Sequence, residues 1–106
     1  MKITRKKNKD ITTLAFDGDL TIYQVTETKD ELFADHERLT ENIALDLHKV
    51  GEIDTAGVQL LLFAKRFFSD VNKNIFIVKS NEIVDSVLLK LDIYSQFTQD
   101  AKEASL

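Results

Sequence analysis

The 106-residue sequence contains no cysteine, no proline and no tryptophan, and only three glycines and two histidines. Missing thiols exclude disulfides, thiolate catalysis, iron–sulfur clusters and thiolate zinc sites together; the pattern is compatible with a reducing compartment, and a cytoplasmic protein is expected. His36 and His48 lack an H-x-x-x-H spacing and have no cysteine to complete a zinc set, so no metal site is expected. Neither a G-x-G-x-x-G fingerprint nor a Walker A loop can be assembled from Gly18, Gly51 and Gly57, and no serine lies in a G-x-S-x-G elbow. With so few convergent polar groups, neither catalysis nor a cofactor is expected. The longest uninterrupted apolar run, Leu60 to Ala64, falls far short of the roughly 20 residues that cross a bilayer. No secretory signal is expected either, because the basic start, Lys2 to Lys9, leads into Asp10 and not into an apolar stretch.

What is present is an ordinary globular composition, 43% hydrophobic and 30% charged, with a length that suits one core. No repeat, linker or low-complexity stretch divides it, so one domain over residues 1–106 is expected. The net charge of −4 is unevenly spread: residues 1–9 carry five basic groups and no acid, residues 10–54 are net −9, and residues 55–106 are neutral. The acidic middle repels phosphate backbones, and the basic start reads as a solvated N-terminal arm, so no nucleic-acid partner is expected.

Along the chain, Ile11 to Phe16 alternate loosely and are rich in β-branched residues, which predicts a strand. Asp17-Gly18-Asp19 supplies turn chemistry, and Leu20 begins a second short strand of an initial hairpin. Thr21 and Gln24 have capping-box spacing, and Ile22, Val25, Leu32, His36 and Leu39 follow at helical intervals with acids mostly on other faces. His36 reads as a partly buried, hydrogen-bonded histidine. Ile43 to Leu47 alternate strictly, predicting a central strand that ends near His48. Thr55 opens an apolar helix reaching about Phe68. Ile75 to Val78 read as a strand buried on both faces. Ser80 is expected to cap a helix carrying Val84, Val87, Leu88 and Leu91, and residues from Tyr94 to Leu106 should form a short helix that frays, with 98–106 as its tail.

A hairpin followed by β-α-β-α-β crossovers makes a small mixed α/β sheet covered by helices. Functional ground in such sheets lies where strand C-termini meet helix N-termini, here the stretch from His48 to Thr55. Read on their own, the residues there have structural roles: Thr55 as a helix N-cap, Asp54 as a turn acid, Gly57 as room for close helix–strand packing, and His48 as a surface residue at a strand end.

The segment Ile43-Ala44-Leu45-Asp46-Leu47-His48-Lys49-Val50-Gly51-Glu52-Ile53-Asp54-Thr55-Ala56-Gly57-Val58-Gln59-Leu60-Leu61-Leu62 resembles the signature of STAS domains, the family of bacterial anti-sigma factor antagonists and of sulfate-transporter cytoplasmic domains. Their usual form is a strand reading roughly L-D-L-S, a loop, then D-[ST]-[SA]-G and an aliphatic helix. Gly18-Asp19-Leu20-Thr21 sits where the family tends to have G-E-L-D, and the element order agrees over about residues 11–97. The chain departs from the pattern at His48, where serine is common, and at Thr21, where an acid is usual.

The resemblance implies a STAS-like fold and a non-enzymatic, partner-switching regulator. It places Thr55 at the phosphorylated position, with Asp54, Ala56, Gly57, Thr21 and His48 at the partner-binding surface. Partners implied are an anti-sigma factor or serine/threonine kinase, with a phosphatase to reset the switch. The family also offers an adaptor subunit clasping the ATPase of a phospholipid-trafficking ABC transporter, or a chemotaxis or stress-signalling role. A hydroxyl at a helix N-terminus suits phosphate physically, since the helix dipole presents its positive end there.

Overall fold

The computed structural model describes residues 1–97. In chain order they form strands β1 (Lys2–Asn8) and β2 (Ile11–Leu20), helix α1 (Val25–Phe33), a 3₁₀ turn at His36–Arg38, strand β3 (Asn42–Ile53), helix α2 (Thr55–Asp70), strand β4 (Asn74–Lys79), helix α3 (Glu82–Lys90) and a 3₁₀ turn at Tyr94–Phe97. The sheet order is β1-β2-β3-β4, antiparallel between β1 and β2 and parallel across β2, β3 and β4. This is the expected mixed α/β domain.

The core follows from alternation. Leu14 and Phe16 of β2, Ile43, Leu45 and Leu47 of β3 and Ile75 of β4 pack with Val58, Leu61, Ala64 and Phe68 of α2 and Val84 and Leu88 of α3. Each fully buried side chain of this kind contributes about 1.5–3 kcal/mol of transfer free energy. The intervening residues Thr13 and Ala15 point to the opposite sheet face, where with Thr4, Asp46 and Val78 they line a shallow hollow. Phe33 closes α1 onto α2 through edge-on contacts with Phe63 and Phe67 and a stacked contact with Phe68. His36 is half-buried there, edge-on to Phe67 with Nδ1 3.3 Å from the Phe33 carbonyl oxygen, as the sequence suggested.

Several local expectations are corrected. The hairpin turns at Lys9 and Asp10, not at Asp17-Gly18-Asp19, with Lys9 at φ 56°. The basic segment is therefore a sheet edge and not a free arm, and charged residues on an edge strand discourage pairing with other chains. Arg5 ties it to the end of α1 by donating to the carbonyls of Glu31 (3.0 Å) and Ala34 (2.6 Å). Gly18 lies within β2 at φ 140°, a conformation that favours glycine.

The capping box does not form: Thr21 donates its hydroxyl to the Gln24 side-chain oxygen, the Gln24 amide bonds the Thr21 carbonyl, and α1 begins only at Val25. Asp35, at φ 52°, then breaks the helical run before His36. β3 continues past His48 to Ile53. β4 is an edge strand whose Val78 is exposed, so it is buried on both faces only around Ile75 and Phe76. Asn81, not Ser80, caps α3 by accepting from the Val84 amide at 2.9 Å. The turn at Tyr94–Phe97 buries Phe97 in the core, and the tail expected over 98–106 lies outside the described residues. No helix among the described residues is long and apolar enough to cross a membrane.

Candidate functional site

β2 and β3 run parallel and end together, with Leu20 opposite Ile53. The register slips twice between them, from Ala15↔Asp46 to Asp17↔Lys49 and from Gly18↔Val50 to Leu20↔Ile53. Each slip leaves one extra residue on β3, and such bulges twist a strand and re-aim it. This explains why the strand outruns its hydrophobic alternation: Leu47 and Val50 are buried while His48 and Lys49 between them are exposed.

Past Ile53 the chain turns directly into α2, and Asp54 organises the junction. Its amide donates to the Leu20 carbonyl at 3.2 Å. Its Oδ1 accepts from the Gly57 amide at 3.0 Å, making it the N-cap of α2, and its Oδ2 accepts from the Ile22 amide at 2.9 Å. The Ile22 bond first, with the bonds from Gly57 and Ala56, outweighs desolvation and holds the carboxyl below its ordinary value of 3.8. One carboxylate thus clamps the end of β2 to the start of α2.

Because Asp54 takes the cap, Thr55 does not; it is the first residue inside the helix and is exposed. Ala56 is half-buried, and Gly57 is buried against the end of β2. A Cβ built on Gly57 would lie 2.1 Å from the Leu20 carbonyl oxygen, so close helix–strand approach accounts for this glycine. Thr21 is buried beside the clamp, within the turn that Asp54 holds through Ile22.

Sequence reasoning missed the two residues after Thr21. Ile22 is 61% exposed and Tyr23 90%, and both stand on a turn pinned at Ile22 N by Asp54 and at Gln24 N by Thr21. Its helical spacing places Ile22 on the apolar face of a helix, but with α1 starting at Val25 it faces solvent. The signal was available in the misplaced capping box, since moving the helix start by one turn frees both side chains.

His48 stands apart from this group. Its Nδ1 is 2.5 Å from Asp46 Oδ1, its amide donates to the same oxygen at 3.2 Å, and its ring is largely exposed. Burial pushes the Asp46 carboxyl up, but the His48 bonds and the nearby Lys79 charge prevail and leave it below the usual range. His48 and Asp46 border a hollow of about 350 Å³ with Lys2, Thr4, Asp17 and Lys49, on the sheet face away from the helices. Thr21, Asp54, Thr55, Ala56 and Gly57 are thus brought together, while His48 belongs to a neighbouring surface. No group of three or more His, Asp or Glu among the described residues is placed to hold a metal ion.

A four-stranded mixed sheet whose central strand delivers an acid-capped D-T-A-G helix start defines the class: the chain belongs to the STAS domain family, whose model matches residues 2–104. Among solved structures it is similar to the anti-sigma factor antagonist SpoIIAA in its unphosphorylated form, with a TM-score of 0.72 at 14% identity over 92% of this chain and 86% of that one. It is similar also to the Bacillus cell fate determinant SpoIIAA in the phosphorylated form, with a TM-score of 0.67 at 12% identity over 99% of this chain and 100% of that one. A third similar structure, described as Mglu, gives 0.63 at 18% identity over 76% of this chain but only 20% of that one. No curated protein matches by sequence. At these identities the structural likeness is one of fold.

Proposed function

We propose that the protein is a non-enzymatic partner-switching regulator of the anti-sigma factor antagonist type, acting in the cytoplasm. The end of β2, the Ile22–Tyr23 turn and the start of α2 form its docking surface for an anti-sigma factor or a serine/threonine kinase. Phosphorylation of Thr55 switches that surface off, and a phosphatase restores it. The observation that carries this reading is the division of labour at the helix start. Asp54 caps α2, so Thr55 is exposed and free of the structural task that would otherwise explain it. Family membership and a fold shared with a protein solved in both phosphorylated and unphosphorylated forms support the same reading.

The electrostatics give the switch its sign. A phosphate adds about −1.5 to −2 charges. On Thr55 it would stand next to Asp54 in a segment of net negative charge, and the Gly57 amide that it could otherwise use is already bonded to Asp54. The added charge therefore goes to the surface. A partner that docks by burying this end meets a dianion it must desolvate, which weakens binding by several kcal/mol.

The test is to incubate the protein with ATP and each serine/threonine kinase of its own genome and to locate phosphate by mass spectrometry. Phosphate on Thr55, its loss in Thr55→Ala, and weakened capture of a kinase or anti-sigma factor by Thr55→Glu are expected. Absence of phosphate from Thr55 with every kinase, together with unchanged partner capture by Thr55→Glu, sinks the proposal.

A further inference from the structure

β3 pairs with β4 only as far as Asp46↔Lys79. Beyond that point, the arm of β3 leading to Asp54 and Thr55 keeps β2 on one side, through Asp17, Gly18 and Leu20, but among the described residues has no strand on the other. Backbone carbonyls facing that side need a donor from elsewhere. Among the described residues the side chain of Asn81 supplies it. Asn81 Nδ2 donates to the carbonyls of Val50 (2.9 Å) and His48 (3.0 Å), and lies 3.4 Å from that of Leu47. The other end of the same amide, Oδ1, caps α3 at the Val84 amide.

We propose that Asn81 is a positioning residue for the Thr55 site: its amide stands in for the missing strand, fixes the bulged arm of β3, and so sets where Asp54 and the start of α2 lie. Capping alone does not require asparagine, because aspartate and serine cap equally well. Aspartate has no proton to donate when ionised, and serine has a single short hydroxyl, whereas the amide accepts from α3 through one atom and donates to β3 through another. The geometry of the arm matters because Asp54 must reach three groups on other segments at once, Leu20, Ile22 and Gly57. The inference rests on Thr55 being the functional site, but its physical part does not.

Two variants separate the roles. Asn81→Ser keeps a cap and is too short to reach β3; Asn81→Asp keeps the cap and turns an acceptor toward the three carbonyls. Amide hydrogen exchange by NMR should show the β3 arm, Val50 to Ile53, opening about tenfold more readily in both, as the loss of one to two hydrogen bonds implies. The Val84 amide should stay protected, and core amides of Leu14 and Leu45 should change far less. The amides of Gly57 and Ile22, bonded to Asp54, should shift in resonance, which a residue that merely caps α3 would not cause. Unchanged exchange in the arm, acceleration spread evenly through the core, or unmoved Gly57 and Ile22 signals each overturn the proposal. Absence of phosphate on Thr55 in the unsubstituted protein counts against the partner-switch reading alone and leaves the exchange result standing.

Discussion

Gly57→Ala sets two physical effects against each other with opposite signs. Judged by helix propensity, alanine should stabilise α2 by up to about 1 kcal/mol. Judged by contact, its Cβ would lie 2.1 Å from the Leu20 carbonyl oxygen and 2.9 Å from the Leu20 carbonyl carbon and Cβ. Those are mainly backbone atoms at the end of a paired strand, so they cannot rotate away. Relief needs a separation of about 1.3 Å between α2 and β2 to restore ordinary contact. Strain of that kind costs roughly 1–3 kcal/mol. The same movement weakens the Asp54 bonds to Leu20 and Ile22, adding about 1–2 kcal/mol. Contact wins, and a net destabilisation of about 1–4 kcal/mol is expected, lowering the Tm by roughly 5–30 °C. Urea unfolding followed by circular dichroism measures it, with an unchanged m value as the sign that only stability has moved. Gly51→Ala is the control: its Cβ would meet only the end of the Asp19 side chain, at 2.9 Å, and that carboxylate can swing aside. A Gly57→Ala protein as stable as the original, or Gly51→Ala equally damaged, refutes the reasoning.

The carboxyl of Asp54 is held below its ordinary value in the folded chain, so it contributes stability that is present above pH 3.8 and is lost as pH falls through the lower folded value. The gap in unfolding free energy between the original and Asp54→Ala, read from urea curves, should thus be widest near neutrality, about 1 kcal/mol for the lost cap, and narrow as pH falls below 3.8; a gap that does not narrow contradicts the assignment. His48→Ala removes the hydrogen bond that does most to hold Asp46 low, so the Asp46 carboxyl carbon should titrate at higher pH by NMR. An unmoved titration would show that the amide of residue 48 and the Lys79 charge suffice. Tyr23→Ala should leave stability within about 0.5 kcal/mol, because the side chain is 90% exposed. It should also weaken capture of the partner at least tenfold, and calorimetry showing equal affinity would remove Tyr23 from the docking surface.

The element order and the central core were legible because alternation and helical spacing are properties of side chains close in sequence. Ile43 to Leu47 and Val84, Leu88 declare their faces without help from the rest of the chain. What was not legible depended on pairing. Lys2–Asn8 carry no apolar alternation, and only the partner β2 makes them a strand. The continuation of β3 beyond His48 is concealed by two bulges, each of which shifts the inward-facing positions by one. The D-T-A-G stretch marks the junction where Asp54 joins the Ile22 turn to the start of α2. Its internal roles needed coordinates, since either Asp54 or Thr55 could have capped α2 and only the direction of the Asp54 carboxylate decides between them.

That decision bears on how a charge added at Thr55 would be felt. Had Thr55 been the cap, modifying its hydroxyl would have removed a bond that α2 needs, and the switch would have worked by loosening the fold. With Asp54 as cap, none of the three Asp54 contacts uses the Thr55 hydroxyl, so modifying that hydroxyl removes none of them directly. The energy of a modification is then expressed at the surface, between the phosphate and whatever covers it. A proposed switch of this kind would let a small domain, whose stability is a small difference between large terms, change partners without unfolding in between. It follows that Thr55→Glu and the unsubstituted protein should unfold at nearly the same urea concentration while differing in partner capture. An unfolding free energy lowered by as much as the loss of a helix cap, about 1 kcal/mol, would instead place the switch within the fold.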